Sequence, residues 1–533
     1  MPVVAEWSGL AAMDTRKSWA LRHGRTVAQQ APVAMARALA ERDWPQSGAL
    51  NALALGAQHP ACATLPAQSC RHALAQRQEN ARLFQCEQDI KARFEAIVPT
   101  LQEISGVLPG ADFSRRAQDL AQSRLGFSLP EPLLERAWVR GPDMGALHAA
   151  ATFSVAMAAI ERFSARIQAE AEAGQSFDAL LVDCGFHAMN VSACSDGRLK
   201  GLFPYILRVP ASDLVRRSAF AGSLFDVEAD TQHWEDAELR RFREGFPTTA
   251  DANTRYLKVA VYHRSSLAPN HEGCAAHGSN DRTAVEAALE RLHQFREAIE
   301  NAFCCGASTD LLLIGVDTDT DSVRIHVPDT NGELSAYRFV DSAEVYRQTL
   351  HLDADRACLA VYDAIRATSE TAGWGQGGGM PHDGMRRLIA TLLINNLSQI
   401  EYVGEYHGGW YADAGHGEYF VGVGNGFQEV QVRNIAYYAQ LDTVEEGAPD
   451  LDVGVKIFRH LNVERGLPIP MMLRYRFDAR VPGSRERMQD KIRRVAAAIR
   501  QRYPELAAQG LLYLHGSIQN LPLGGSFEEV SLA

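Results

Sequence analysis

Apolar positions change their period along this chain. Between residues 56 and 172 they recur at helical spacing, as in NARLFQCEQDIKARFEAIVPTL and LHAAATFSVAMAAIERFSARIQAEAEAG, the second of which meets a helix stop at Gly174. Beyond Gly174 the pattern breaks into short runs. FDALLVDCGF, RYLKVAVYH and DLLLIGVDTDTDSVRIHV are compact and rich in β-branched residues, which predicts buried strands. Between the last two lies NDRTAVEAALERLHQFREAIENAF, where Val285, Leu289, Leu292, Ile299 and Phe303 form one helical stripe behind the N-cap candidates Ser279, Asn280 and Asp281. Strand, helix, strand predicts an α/β unit with a mixed or parallel sheet.

The C-terminal residues repeat this order: EYFVGVGNG, a helix through VGVKIFRHL, PIPMMLRYRF, SRERMQDKIRRVAAAIRQRY and GLLYLHGSI. The stripe Met488, Ile492, Val495, Ile499, Tyr503 stands where the 285–303 stripe stood, so this half reads as a diverged second copy. A Gly-rich segment, GWGQGGGMPHDG, and a helix around MRRLIATLLINNL join the two. The Ala-rich start carries Arg16, Lys17, Arg22 and Arg25 around Trp7 and Trp19, a composition suited to an arm that folds on a partner. The expected organisation is a mobile arm (1–55), an all-helical domain (56–172), an α/β domain (173–416) and a degenerate α/β repeat (417–533).

At 533 residues the chain has room for two to four such domains. A net charge of −12 argues against nucleic acid as a partner. No apolar run approaches the roughly 20 residues that span a bilayer, and the N-terminus lacks a basic start followed by an apolar core. A cytosolic protein without a membrane partner is expected. Nine cysteines, none after Cys358, then read as buried, catalytic or metal-bound thiols rather than a disulfide framework.

Two segments carry the chemistry. In CSDGR, Cys194, Asp196 and Arg198 alternate, and in an extended segment they would point to one side. In VYHRSSLAPNHEGCAAHGSND, His263 ends a strand and Cys274 precedes a capped helix. Two thiols and an imidazole at strand ends gather at the edge where α/β sheets place their sites. They match a catalytic zinc, whose fourth position stays open for water; a structural zinc would want a fourth ligand, for which His271 and His277 are near enough in sequence. Zinc lowers the pKa of its water to about 7. Asp196 would accept a hydrogen bond from the resulting hydroxide, and Arg198 would hold Asp196 by a bidentate pair, away from the metal.

Other motifs read more plainly. Cys184 is expected as an inert thiol inside a strand, Cys62 and Cys70 flank a loop that a local bridge could close, and Cys304–Cys305 ends a helix without an assigned role. The run Asp317-x-Asp319-x-Asp321 lacks the Gly and closing Glu of a calcium loop and predicts a strand-end turn. The Gly-rich segment lacks the Gly-Lys-Ser/Thr ending of a phosphate loop. A phosphatase would want Cys-x5-Arg, which CSDGRLK does not supply. A hydrolase using Cys194 as nucleophile and His263 as base leaves Cys274 without a role.

The Cys-x-Asp-x-Arg spacing, followed by a His and a second Cys, resembles the β-type carbonic anhydrases. CSDGRLKG, HEGCAAHGSNDR, DCGFHA, FCCGAS, DLLLIGVDTDTD and VPGSRER extend the resemblance over nearly the whole chain to the carboxysome shell carbonic anhydrases. The resemblance implies one zinc per chain on Cys194, His263 and Cys274, with Asp196 and Arg198 as the catalytic dyad. Ordinary β enzymes place the ligand His three residues before the second Cys, which would select His271; the carboxysomal family places it eleven before, selecting His263, and the strand-end position favours His263 as well. It further implies reversible hydration of CO2 to bicarbonate, a homodimer, residence in a bacterial carboxysome, delivery of CO2 to Rubisco, a metal-free C-terminal repeat, and attachment to Rubisco or shell proteins through the arm. The rival within that setting is a non-enzymatic scaffold with a structural zinc.

Overall fold

A computed structural model describes residues 72–532, apart from 108–109, 136, 138–140, 174–176, 211, 213, 247–254, 270, 304–308, 330–331, 372–382, 413–415, 428–429, 431, 440–443 and 522–525. The arm, Cys62, Cys70, Gly174, Cys304, Cys305 and all but the end of the Gly-rich segment lie outside the described residues. The chain is a mixed α/β protein with a helical N-terminal region and two sheet-bearing units. One unit comprises residues 72–77, 176–195 and 205–414; the other comprises 78–175, 196–204 and 415–533.

The helical region runs through α1 (Arg77–Glu95), α2 (Ile97–Ser105), α3 (Phe113–Leu125) and α4 (Met144–Glu172). Leu83, Cys86, Ile90 and Phe94 of α1 are buried at the spacing the sequence indicated. α3 ends at Gly126, whose left-handed backbone (φ 79°) lets the chain turn away. Among the described residues α4 is the one helix long and apolar enough, by length and composition, to cross a membrane; half of that window is buried, and the helix packs on α2 and on the C-terminal sheet, as a core helix does.

After the short α5 (Phe177–Asp183) come β1 (Phe186–Cys194), β2 (Val215–Phe220), α6 (Val227–Arg243), β3 (Arg255–Arg264), α7 (Asp281–Phe303), β4 (Thr309–Asp317), β5 (Val323–His326) and β6 (Phe339–Asp341). Helices α8 (Ser342–Thr349), α9 (Ala354–Thr371) and α10 (Asp383–His407) follow. The sheet order is β2-β1-β3-β4-β5-β6, parallel from β2 to β4 and antiparallel beyond. α7 is the expected crossover helix; it buries Val285, Leu292 and Ile299, and the Asn280 side chain caps it by accepting from Thr283 N at 3.1 Å.

One expected strand is a helix. FDALLVD forms α5, burying Phe177 and Leu181 four residues apart, and Gly185 (φ 79°) turns the chain so that the strand starts only at Phe186. The true strand was masked by its buried polar residues Asn190 and Ser192. These serve Lys258, which is wholly buried on β3: its Nζ donates to Asn190 Oδ1 (3.2 Å), Ser192 Oγ (2.7 Å) and Asp230 Oδ2 (2.5 Å) on α6. Burial pulls the lysine down to about 8, against the raising effect of Asp230.

The second unit carries β7 (Phe420–Val423), β8 (Ala436–Ala439), α11 (Val444–Leu461), β9 (Ile469–Phe477), α12 (Ser484–Arg502), β10 (Leu512–Asn520) and β11 (Phe527–Val530). Its order is β11-β10-β9-β7-β8, parallel from β8 to β10 and antiparallel at β11. Val421, Met471, Leu473, Ile492, Val495, Ile499 and Ile518 form its core. Phe94 of α1 stacks on Tyr419 just ahead of β7, with ring centroids 4.3 Å apart.

The buried Lys258–Asp230 pair yields a stability test. Asp230→Asn strands the lysine charge and is expected to lower unfolding stability by about 3–5 kcal/mol. Removing both charges with Lys258→Met and Asp230→Leu is expected to cost less than Asp230→Asn alone, as read by chemical denaturation.

Candidate metal centre

Parallel pairing sets the stage. Ala193 of β1 lies opposite Val261 of β3, so the two strands run out side by side, β1 ending on Cys194 and β3 carrying His263 beside Val316 of β4. Cys274 returns after a loop at the N-cap of a single 3-10 turn (Ala275–His277), where its carbonyl accepts from His277 N (3.0 Å) and Ser279 N (2.9 Å). Gly273 lets the chain pass close there, since a Cβ would stand 3.0 Å from the Ser279 backbone.

The ligand atoms of Cys194, His263 and Cys274 all lie within 4.8 Å of one another. The sulfurs are 3.9 Å apart, close to the separation of about 3.8 Å for two thiolates at 2.3 Å from a tetrahedral ion. All three residues are buried, His263 to 1 % exposure. Among the described residues this is the one group of three or more potential ligands so gathered. The donor set fits zinc with one position left for water. His271 is exposed and lies outside the group. His277 is buried, its Nε2 donating to Gly222 O at 3.1 Å, and burial pushes its imidazole toward the neutral form. Gly222 must be glycine: its φ is 69° and a Cβ would stand 2.6 Å from that Nε2.

Asp196 and Arg198 pair as expected, but not by strand alternation. The strand stops at Cys194, and the Asp196 carboxylate accepts from Arg198 N (2.9 Å), capping the 3-10 turn Gly197–Leu199. The turn brings the guanidinium onto the same carboxylate, with Nε to Oδ1 at 2.9 Å and Nη2 to Oδ2 at 2.7 Å. Both side chains are buried. The turn belongs to the second unit. Gly197 O accepts from Asn434 N at 3.3 Å, and Lys200 Nζ lies 3.6 Å above the Tyr438 ring. A Cβ on Gly197 would meet Glu418 Oε1 at 2.5 Å and Ala436 O at 2.8 Å, so only glycine fits between the dyad residues.

Glu418 and its partner His416 escaped the sequence reading, standing over two hundred residues from the dyad in a stretch without a motif. Their side chains bond at 3.1 Å, Glu418 fully buried. Burial works against a charged His416, but the Glu418 hydrogen bond and the negative Glu418 and Asp196 outweigh it and lift the imidazole to about 9. Cys184 is buried with its thiol pushed up by desolvation, though it sits between α5 and β1 rather than within a strand. The Asp317–Asp321 run is a strand-end turn, each carboxylate engaged by a different partner and none in the metal group.

Three family models match the chain: the carboxysome shell carbonic anhydrase catalytic domain over residues 176–416, its C-terminal domain over 417–533 and its N-terminal domain over 72–164. The carboxysome shell carbonic anhydrase of Halothiobacillus neapolitanus is 53% identical over 478 residues, covering 89% of this chain and 93% of that protein. The protein of that name from Parasynechococcus marenigrum is 48% identical, over 84% of this chain and 77% of its own length. That from Hydrogenovibrio crunogenus is 42% identical, over 83% of each.

His416 gives a pH test. Its pKa in the fold, about 9, exceeds the ordinary 6.5, so the stability it adds is complete below about 6.5 and is lost as pH rises through 9. The unfolding free-energy gap between the natural protein and His416→Gln is expected to be widest near pH 6 and to shrink toward pH 10, in thermal melts across that range. A gap that is constant or widens with pH would show that His416 is not charged in the fold.

Proposed function

Because the chain belongs to the carboxysome shell carbonic anhydrase family, we propose that Cys194, His263 and Cys274 hold one zinc ion per chain at the centre of its active site. The chain is a carbonic anhydrase, interconverting CO2 and bicarbonate in the carboxysome. The observation that carries the zinc assignment is the convergence of two buried thiols and one buried imidazole within 4.8 Å.

Zinc held by this donor set would acidify a water and so supply a hydroxide nucleophile for CO2. The thiolates of Cys194 and Cys274 donate more charge than imidazoles would, which moves turnover toward alkaline pH. Asp196, two residues along the chain from Cys194, would accept a hydrogen bond from that hydroxide and orient its lone pair. Arg198 occupies both carboxylate oxygens of Asp196, so the carboxylate is restrained from turning onto the metal. Glu418 fills the space beside Gly197 and keeps the turn between them tight.

In this reading the C-terminal unit is a diverged, metal-free copy of the catalytic one. The shared strand order and pairing senses support it. Matching Ala193↔Val261 to Val423↔Leu473 puts Gly424 at the place of Cys194 and Tyr475 at the place of His263. A Cβ on Gly424 would strike Arg474 O at 2.4 Å and the Tyr475 ring at 3.0 Å, leaving no room for a ligand side chain. The enzyme acts as a homodimer, converts accumulated bicarbonate to CO2 beside Rubisco, and is attached to Rubisco or shell proteins by its Arg- and Trp-bearing arm.

Stopped-flow CO2 hydration with a pH indicator tests the assignment, paired with zinc analysis of the purified, reduced protein. Fast, chelator-sensitive hydration rising toward alkaline pH is expected. Cys274→Ser should lose zinc and activity together. Asp196→Asn should keep its zinc and lose turnover by about 10²-fold or more. Bound zinc without hydration would identify a scaffold instead, and full activity in Asp196→Asn would refute the role given to the dyad.

A further inference from the structure

Asp317, Thr318, Asp319 and Asp321 of the strand-end turn are buried, and the reaction as described makes no use of them. We propose that Asp319 is a positioning residue for the zinc, its carboxylate fixing the first turn of the loop that leads from His263 to Cys274. The inference rests on the reading of those residues as metal ligands.

The contacts are specific to that loop. Asp319 Oδ2 accepts from Leu267 N at 2.7 Å, Ser265 Oγ at 2.8 Å and Ser266 Oγ at 3.4 Å. Ser265 Oγ in turn accepts from Ala268 N at 3.0 Å, and the Ala268 carbonyl accepts from His271 N (2.9 Å) and Glu272 N (2.8 Å). A continuous relay of hydrogen bonds thus runs from one buried carboxylate to within two residues of Cys274. The residues around Asp319 hold the start of the loop. Thr318 donates through its N (2.9 Å) and its hydroxyl (3.0 Å) to the carbonyl of Arg264, the residue after His263, while Asp317 takes the Arg264 guanidinium at 2.8 Å. The turn is itself anchored from α10 and beyond: Asp319 O accepts from Tyr411 N at 2.8 Å, and Asp321 Oδ2 accepts from Tyr411 Oη (2.7 Å) and Gln399 Nε2 (2.8 Å).

The physical need is clear. Ten residues separate the two ligands, and a loop of that length ordered only by the metal would charge its conformational entropy to metal binding. Asp319 supplies that order in advance, as groups behind the primary ligands do in metal sites, where their loss lowers affinity about 10–100-fold. A turn that merely stabilised the sheet would show no preference for the metal. The other end of the same two strands provides the comparison. There Asp310 of β4 is equally buried and accepts from Arg255 Nε of β3 at 2.8 Å, far along both strands from the ligands.

The test is zinc transfer from the holoenzyme to a chromogenic chelator, followed beside thermal unfolding. Asp319→Asn is expected to weaken zinc binding about 10–100-fold while the protein stays folded. Asp310→Asn is expected to lower the melting temperature and keep the natural zinc affinity. Natural zinc affinity in Asp319→Asn would overturn the proposal, as would equal zinc loss in Asp310→Asn. Should Asp319→Asn fail to fold, Ser265→Ala removes one donor and breaks the relay; faster zinc release there supports the proposal and an unchanged rate refutes it. A natural protein that binds no zinc would instead refute the metal assignment beneath it.

Discussion

The register between β1 and β3 is the constraint on which the site depends. Pairing of Ala193 with Val261 sets how far Cys194 stands from His263, and a slip of one residue would shift that thiol along the sheet and turn its side chain to the other face. The register is specified far from the metal group, by Lys258 reaching from β3 to Asn190 and Ser192 of β1 and to Asp230 of α6. A buried ammonium without those partners would be costly, which makes any other alignment of these strands unfavourable. The burial of a charge in the middle of the sheet therefore selects the alignment that brings the thiols and the imidazole together at its edge.

The same logic governs the dyad, with a different device. Asp196 and Arg198 are buried, and burial of a carboxylate favours its protonated form unless donors hold the charge. Arg198 supplies two side-chain donors and its own backbone N–H. That geometry requires a tight turn, and the turn requires a residue without a side chain at its centre, because Glu418 and the Ala436 carbonyl occupy the space beside Gly197. Residues 415–533 thereby shape the Asp196–Arg198 pair even though they carry no cysteine.

Legibility in the sequence followed the range of the forces. Crossover helices α7 and α12, strands β3, β9 and β10, and the Cys, His and Asp-x-Arg motifs are local patterns, and single-sequence periodicity and spacing reveal them. FDALLVD reads as a strand because a short apolar run fits strand and helix alike, and the following strand is hidden by polar residues whose partners lie on β3 and α6. Alternation along CSDGR predicts the Asp196–Arg198 pair, but the carboxylate makes that pair by folding its own backbone into a turn. Glu418 and His416 leave no signal, since Gly197 and Asp196, against which they act, lie some two hundred residues away. The Asp317–Asp321 run was visible as a motif and its location as a turn was legible, but the loop it secures is defined only by the pairing of β3 with β4.

The two sheets end in contrasting ways. In both, parallel strands stop side by side, the topological position where α/β proteins place their chemistry. On the first, the loop after β3 is bonded to the turn after β4, and the side chains of Cys194, His263 and Cys274 gather with their donor atoms within 4.8 Å of one another. On the second, the chain after β7 passes so close to β9 that Gly424 and Gly426 both lack room for a Cβ against Arg474. Close backbone approach and ligand side chains exclude each other. Read as two copies, the pair would have diverged less by losing cysteines than by closing the space those cysteines need. Restoring thiols at the second edge would therefore be insufficient to restore a zinc site without first opening the loop.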